Sequence, residues 1–437
     1  MDHLNRWFNN NEDVMIETAS YIFRHPEMAF KEFESSRCLA AFLQAQGFEI
    51  SWNTAGLETA FTASWGTGKP VIGFLAEYDA LPGLDQEGVC RPAPAGTAGH
   101  GCGHNLLGTG AAAAACALKA DMEQNGTRGT LRVYGCPAEE IMAGKTIMNK
   151  QKIFDDLAAA VTWHPFDRNR VSNDIWLAQD IRNYKFYGVS SHAARSPELG
   201  RSALDACELM NVGVNYLREH VAADVRMHYS YTSPAQPTNV VPDFARLNYF
   251  IRSGKRARTD DVAARVDDCA RGAALMTGTR LEVELEAACR EMKVNRPLAE
   301  LYYQAMTKIP TPEYTDKEMK FAETITKEAE LKNDGEYFSG LYDLEPEPVI
   351  QPISTDVSDV SHTVPTITLS AAAMCNGTPL HHWSTTAQAG MSIGQKGMIY
   401  AARCMALGTK MLITDPQILK QVWEAHKKPA NKKSSTF

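Results

Sequence analysis

Apolar positions along the chain fall into two periods, one helical and one of strands. Residues 11–47, with Phe30 and Phe33 among their apolar positions, predict helix as far as the Gly47 stop. FEISWNT and ETAFTASWG then alternate as strands, with a turn at 66–70. VIGFLAEYDALPG is a buried strand that ends in acidic residues and a Pro-Gly stop. TLRVYGCPAEE is a second apolar strand running into two carboxylates, and AAAVTWHP a third running into a histidine. Among them, residues 105–124 (NLLGTGAAAAACALKADMEQ) are rich in alanine and have high intrinsic helix propensity. Strands alternating with helices predict an α/β layer: a mixed, mostly parallel sheet with helices on both faces. Ligand sites in such sheets gather beyond the C-terminal strand ends. Three successive strands here end in Asp79, in Glu139 and Glu140, and in His164.

Near residue 181 the texture changes. NYKFYGVSSHAARSP reads as strand then loop, SALDACELMNVGVNYLREHV as an amphipathic helix, and MHYSYTS and ARLNYFIRS as alternating strands. TDDVAARVDDCARGAALMTG is a second helix and TRLEVELEAACREM a last strand. The order β/α/β/β/α/β is that of a ferredoxin-like α+β unit. It places an inserted domain at 181–294, with residues 1–180 and 295–437 forming the α/β domain around it. Residues 310–350, rich in Pro, Glu and Asp, read as a long solvated loop of the kind that forms a lid, with a helix over FAETITKEAELK. Residues 351–415 supply the last strand and helix material, and the tail AHKKPANKKSSTF is basic, polar and expected to fray.

Composition narrows the class. With 437 residues, 44% of them hydrophobic, the chain can bury a full core, and its formal net charge of −8 argues against nucleic acid as a partner. No run of 18 apolar residues exists and the opening MDHLNRWFNNNEDVMIE lacks a signal-peptide core, so no membrane association and a cytoplasmic location are expected. The ten cysteines are scattered without a CxxC pair, which speaks against a disulfide framework.

Chemistry concentrates in a few segments. GHGCGHNLLGTG holds His100, Cys102 and His104, and the glycine between Cys102 and His104 lets a thiolate and an imidazole turn toward one point, a donor pair suited to a borderline transition metal. A Gly-rich turn ahead of a helix is the plain alternative for this segment. Glu139 and Glu140 repel each other unless a cation or a shared proton intervenes. One can ligate a metal while the other takes a proton from water, or the pair is a solvated acidic turn. His164 is either a ligand at a strand end or a satisfied core histidine. His381 and His382, in GTPLHHW, offer one further ligand. Cys102, His104, Glu140, His164 and one late histidine make five ligands, enough for two divalent ions if one ligand bridges. In the inserted domain, His192 can donate to a developing oxyanion, Asn239 can bind the substrate backbone and Arg252 can grip a carboxylate in bidentate fashion; a loop cap, a turn and an exposed strand face are their structural alternatives.

EYDALPG, GHGCGHN, CPAEE, the strand-end WHP, SHAA, NVVPD and GTPLHH stand together in an order that resembles the metallopeptidase and amidohydrolase family of aminoacylases, glutamate carboxypeptidases and auxin-conjugate hydrolases. The resemblance spans nearly the whole chain. GHGCGHNLLGT, SPELGRSALDA and STDVSDVS are most similar to a subgroup that hydrolyses aminobenzoyl-glutamate. What it implies is a pair of zinc or manganese ions bridged by Cys102, with His104 and Glu140 on one and His164 and His381 on the other. It further implies Glu139 as general base, Asp79 orienting ligands from behind, and Asn239 and Arg252 on the substrate carboxylate. His192 would reach into the active site of a second copy, implying a homodimer through residues 181–294, and the paired chains of the subgroup imply a different hydrolase chain as a possible partner. Glu77, where many relatives have Asp, the Ile141–Met142 pair, where relatives often have Gly, and His382, where a smaller residue is common, depart from the family pattern. The expected activity is hydrolysis of an N-acyl amino acid such as aminobenzoyl-glutamate. A dipeptidase acting on short peptides and a non-catalytic binding chain of a paired hydrolase are the rival readings.

Overall fold

The computed structural model describes residues 2–93, 96–233, 237–333 and 335–429. It divides into two compact units, one from Met1–Asp174, Lys293–Val349 and Asp359–Lys432, the other from Ile175–Met292 and Ile350–Ser358. The end of the basic tail, residues 430–437, lies outside the described residues.

The first unit is built on a seven-stranded sheet. From one edge to the other its strands are Glu49–Trp52, Phe61–Thr67, Gly129–Cys136, Val71–Glu77, Ala159–Phe166, Thr366–Ala372 and Arg170–Val171. The four central strands, from Gly129–Cys136 to Thr366–Ala372, run parallel, and the outer ones are antiparallel. Helices cover both sides, as the alternation of strand and helix along the chain predicts. The register sets Glu77 opposite Cys136 and His164 opposite Ser370, so the acidic and imidazole groups emerge from one end of the parallel strands.

The helix His104–Asn125 is buried without a break from His104 to Leu118. It has no polar face because it contacts strands Val71–Glu77 and Ala159–Phe166 as well as helices Asp2–Arg24 and Ser392–Thr414. Its alanines and glycines permit the approach. A Cβ on Gly108 would lie 2.4 Å from the carbonyl oxygen of Glu77, and one on Gly110 would lie 2.7 Å from Trp163 Nε1. The Trp163 indole N–H donates to the Leu107 carbonyl at 3.0 Å, so the sheet and the helix are locked by a polar contact inside an apolar core.

Two elements depart from the pattern reading. The expected continuous helix over 11–47 is two helices, Asp2–Arg24 and Phe33–Ala45. Pro26 biases the preceding residue out of the helical region, and Phe30 takes a left-handed φ of 61°. Within 310–350, helix Asp316–Glu328 starts at a capping box of Thr315 and Glu318. Its Ala322 and Ile325 bury against Cys375 and Ala387, so this part of the segment has a small core of its own and is not a solvated loop.

The second unit carries a four-stranded antiparallel sheet in the order Arg226–Tyr231, Phe244–Ser253, Ala178–Tyr187, Arg280–Cys289. Numbered along the chain the strands lie 2-3-1-4. Helices Ala203–Leu217 and Arg256–Thr277 complete the βαββαβ order of a ferredoxin-like unit. Strand Phe244–Ser253 alternates strictly between buried and half-buried positions, which places Ala245, Leu247, Tyr249 and Ile251 in a core with both helices.

The close seating of the Ala-rich helix gives a stability test. Gly108→Ala gains about 1 kcal/mol of helix propensity, yet its methyl group meets backbone and not a mobile side chain. A net destabilisation of about 1–3 kcal/mol is expected from overpacking, read as a lower urea midpoint. Stability at or above that of the parent protein would show that helix and strand are not this close.

Candidate metal centre

The site assembles at the C-terminal ends of the parallel strands of the first unit, and each side chain reaches it by a local device. Val71–Glu77 delivers Glu77 and, two residues on, Asp79, both almost fully buried. Gly103, in the left-handed region at φ 76°, reverses the chain between Cys102 and His104, the first residue of the long helix. Ala138, non-glycine and at φ 58°, turns the chain after Gly129–Cys136 so that Glu139 and Glu140 follow. Glu32, fully buried, accepts from the Ala138 N–H at 2.9 Å and so holds this turn. Strand Ala159–Phe166 carries His164. His381, also left-handed at φ 58°, donates its backbone N–H to the Gly101 carbonyl at 2.8 Å, which ties the late segment to the Gly-rich turn.

The side chains converge. His104 Nδ1 lies 2.9 Å from Asp79 Oδ1. An ionised carboxylate only accepts, so Nδ1 bears the proton and Nε2 is left facing the cluster. Asp79 Oδ2 accepts from the Glu140 backbone N–H at 2.9 Å, so one carboxylate fixes both an imidazole and the Glu139–Glu140 turn. His164 donates from Nδ1 to its neighbour's carbonyl, Pro165 O, at 2.7 Å, and its Nε2 stands 3.4 Å from Cys102 Sγ. His381 Nε2 is 3.3 Å from Glu140 Oε2, with the His381 side chain 55% exposed. His382 points elsewhere: its Nδ1 caps helix Trp383–Ala389 through Ser384.

Three groups could each hold a cation: Cys102 with His104 and His164, Cys102 with Glu140 and His381, and Glu77 with His104 and Glu139. Within each group the ligand atoms lie within 4.8 Å of one another. Two polar atoms, His104 Nε2 and Glu140 Oε1, are buried without a hydrogen-bond partner. Sulfur, imidazole nitrogen and carboxylate oxygen around orphaned acceptors form a donor set that fits divalent transition metals.

The electrostatics agree with that fit. Burial raises the Cys102 thiol well above its ordinary pKa, and Glu140 adds to the shift. Burial alone would depress His104, but Asp79 and Cys102 outweigh it and carry its pKa well up. Burial would raise Asp79, yet His104, the Glu140 N–H and Lys145 bring it below its ordinary value. A field that stabilises a proton on a buried imidazole stabilises any cation placed there. His164 is pushed down to about 3 by burial and by His104, which keeps its ring neutral.

The structure thus brings together Asp79, Cys102, His104, Glu139, Glu140, His164 and His381. The other three expected residues lie in the second unit. His192 is exposed and its Nδ1 accepts from the backbone N–H groups of Ala194 and Arg195, a loop-capping arrangement. It pairs in a β-bridge with Val240, and Ala193 donates to the Asn239 carbonyl at 3.0 Å, so His192 and Asn239 are neighbours. Arg252 sits on strand Phe244–Ser253 over the Phe250 ring, its Nε buried without a partner. Glu77 and Lys145 join the centre with no strong local sign in the sequence. A carboxylate on a strand buried at every position demands a counter-charge, which is the trace Glu77 leaves. Lys145, in a short Gly-Lys-Thr helix start, reads as solvent-facing and is fully buried.

Fold and centre together define a metal-dependent hydrolase of amide bonds. The family model of peptidase family M20/M25/M40 matches residues 73–369, more than half of the chain, and the chain belongs to that family. It is 40% identical over 438 residues to one of the two chains of the p-aminobenzoyl-glutamate hydrolase of Escherichia coli (strain K12), covering 94% of this chain and 91% of that one. It is 31% identical to the Xaa-Arg dipeptidase of Mus musculus over 278 residues, 61% of each chain. A solved dinuclear metal-binding M20 peptidase from Bacillus subtilis shares the fold, with a TM-score of 0.61 at 16% identity over 93% of this chain and all (100%) of that one.

His100, beside the centre, hydrogen-bonds Ile22 O at 3.1 Å. Burial, with His104, pushes it from the ordinary 6.5 to about 4. Between those values the unfolded chain takes up a proton that the folded protein refuses, so His100 removes stability as pH falls through the window. Glu32, raised to about 7 by burial and by Asp79, acts in the opposite direction, so the test is a difference. The stability advantage of the metal-free parent protein over His100→Gln should shrink as pH drops from 6.5 to 4.5, by at most about 1.4 kcal/mol per pH unit. A pH-independent difference in urea unfolding would contradict the burial argument.

Proposed function

We propose that this protein hydrolyses the amide bond of an N-acyl amino acid bearing a free carboxylate, with aminobenzoyl-glutamate the preferred substrate. The observation that carries the reading is the convergence of Cys102, His104, Glu140, His164 and His381, in which Cys102 belongs to two ligand groups at once. That sharing supports Cys102 as the bridge between two divalent ions, with His104 and Glu140 on one and His164 and His381 on the other. The mix of thiolate and imidazole favours zinc, and the carboxylate share leaves room for manganese. Bound ions would polarise the amide carbonyl and make water acidic enough to attack near neutral pH.

The chain's own groups do the rest. Glu139 takes the proton of the attacking water and returns it to the departing nitrogen; its carboxylate is buried and sits in a ligand group with His104. Asp79 holds His104 in the tautomer that presents Nε2, and the same carboxylate anchors the backbone of Glu140. His192 donates to the carbonyl oxygen as charge develops on it, and Asn239 and Arg252 hold the substrate carboxylate. The unsatisfied Arg252 Nε and the adjacency of His192 and Asn239 support those assignments. We place the protein in the cytoplasm as a homodimer through residues 181–294, able to pair with a second hydrolase chain. Ten free cysteines fit a reducing compartment, no helix among the described residues is long and apolar enough to cross a membrane, and the E. coli relative is one chain of a two-chain hydrolase. Its likeness to the Xaa-Arg dipeptidase favours dipeptides as the second substrate class.

Glu139→Gln should lower kcat by about 10²–10⁴-fold with metal content unchanged; turnover retained at full metal loading would remove Glu139 from the role. A panel of N-acyl glutamates, other N-acyl amino acids and dipeptides should show the highest kcat/KM on aminobenzoyl-glutamate. Equal or higher values on dipeptides would transfer the assignment to a dipeptidase. Purified chain that binds metal yet turns over none of these alone would point to the paired form.

A further inference from the structure

Lys145 is a fully buried lysine at the edge of a cation-binding centre, where a second positive charge works against metal binding. Burying an ammonium costs several kcal/mol unless a close anion offsets it, and Glu77 is one such anion: Lys145 Nζ lies 2.8 Å from Glu77 Oε1. The other oxygen of the same carboxylate, Oε2, is 3.4 Å from His104 Nε2, the nitrogen that faces the cluster. Glu77 also belongs with His104 and Glu139 to the third of the possible ligand groups. One carboxylate thus spans a fixed cation on one side and the metal-facing imidazole and general base on the other. Its backbone is fixed by the buried strand Val71–Glu77, and its carbonyl lies against the long helix at Gly108, so the side chain is the part that can move.

We propose that Lys145 is a positioning residue that keeps Glu77 out of the metal shell. The ammonium pulls one carboxylate oxygen back, which leaves the position beside His104 and Glu139 open for water and substrate, and it lowers the net negative charge that would otherwise bind the ions too tightly. Glu77 is then a tethered carboxylate and not a permanent ligand. This rests on the two-ion reading of the centre given above.

The test follows the ions themselves as well as turnover, in the metal-loaded full-length protein. Lys145→Met fills a similar space without charge and frees Glu77 to swing toward the ions. Metal loss to an excess of chelator should slow by about ten-fold or more, while kcat on an N-acyl glutamate falls at least ten-fold. Glu77→Gln combined with Lys145→Met removes both charges and should bring the rate of metal loss back toward the parent value. Metal loss from Lys145→Met at the parent rate or faster, or a double variant no nearer the parent than the single one, would overturn the proposal. If Lys145→Met does not fold, Glu77→Gln carries the test. Its uncompensated ammonium should speed metal loss by about ten-fold, and an unchanged rate would overturn the idea. A parent protein that binds no divalent metal would instead remove the two-ion reading, which separates the two failures.

Discussion

Four carboxylates and a thiol are gathered beyond the strand ends of the first unit, and the structure rests on how that charge is held. Asp79 is the centre of it. Its two oxygens bind the His104 imidazole and the Glu140 backbone, so a single buried anion couples the Gly-rich turn to the acidic turn. Isolated, such a group would cost several kcal/mol in the interior. Here an imidazole, an N–H and the nearby Lys145 ammonium lower its pKa below the ordinary value in spite of burial. The cluster around it still holds more anion than cation, and orphaned atoms on His104 and Glu140 mark where positive charge belongs.

The fold sustains that concentration by rigidity. Parallel strands in register bring Glu77, the Glu139–Glu140 turn and His164 to one end of the sheet. The Ala-rich helix packs so closely on the strands that its first residue, His104, has little freedom to drift. Among the turns that aim ligands, Ala138 and His381 are left-handed without being glycine. Glu32 and the Gly101 carbonyl hold those two turns by hydrogen bonds, as expected where geometry around a site must be fixed ahead of ligand binding.

Much of this was legible in the chain. Apolar runs ending in Asp79, in Glu139–Glu140 and in His164 mark strand ends, because a buried strand that stops in polar groups must open onto water or a ligand. The C-x-H spacing marks Cys102 and His104, since one glycine lets two donors face the same point. Other features were not legible. Periodicity alone continued a helix through Pro26, where the chain breaks. The acidic segment after residue 310 read as solvated, yet Ala322 and Ile325 found apolar partners on Cys375 and Ala387, far along the chain.

By itself, then, the sequence settled which segments are strand or helix, the parallel layering of the first unit and the inventory of metal-binding side chains. These follow from local period, propensity and residue chemistry. Tertiary structure decided which groups meet. It chose His381 to face Glu140 and His382 to cap a helix, two adjacent imidazoles that composition cannot tell apart. It also buried Lys145 against Glu77. Such pairings join residues dozens to hundreds of positions apart, and their energies depend on distances and desolvation that exist only once the chain has folded.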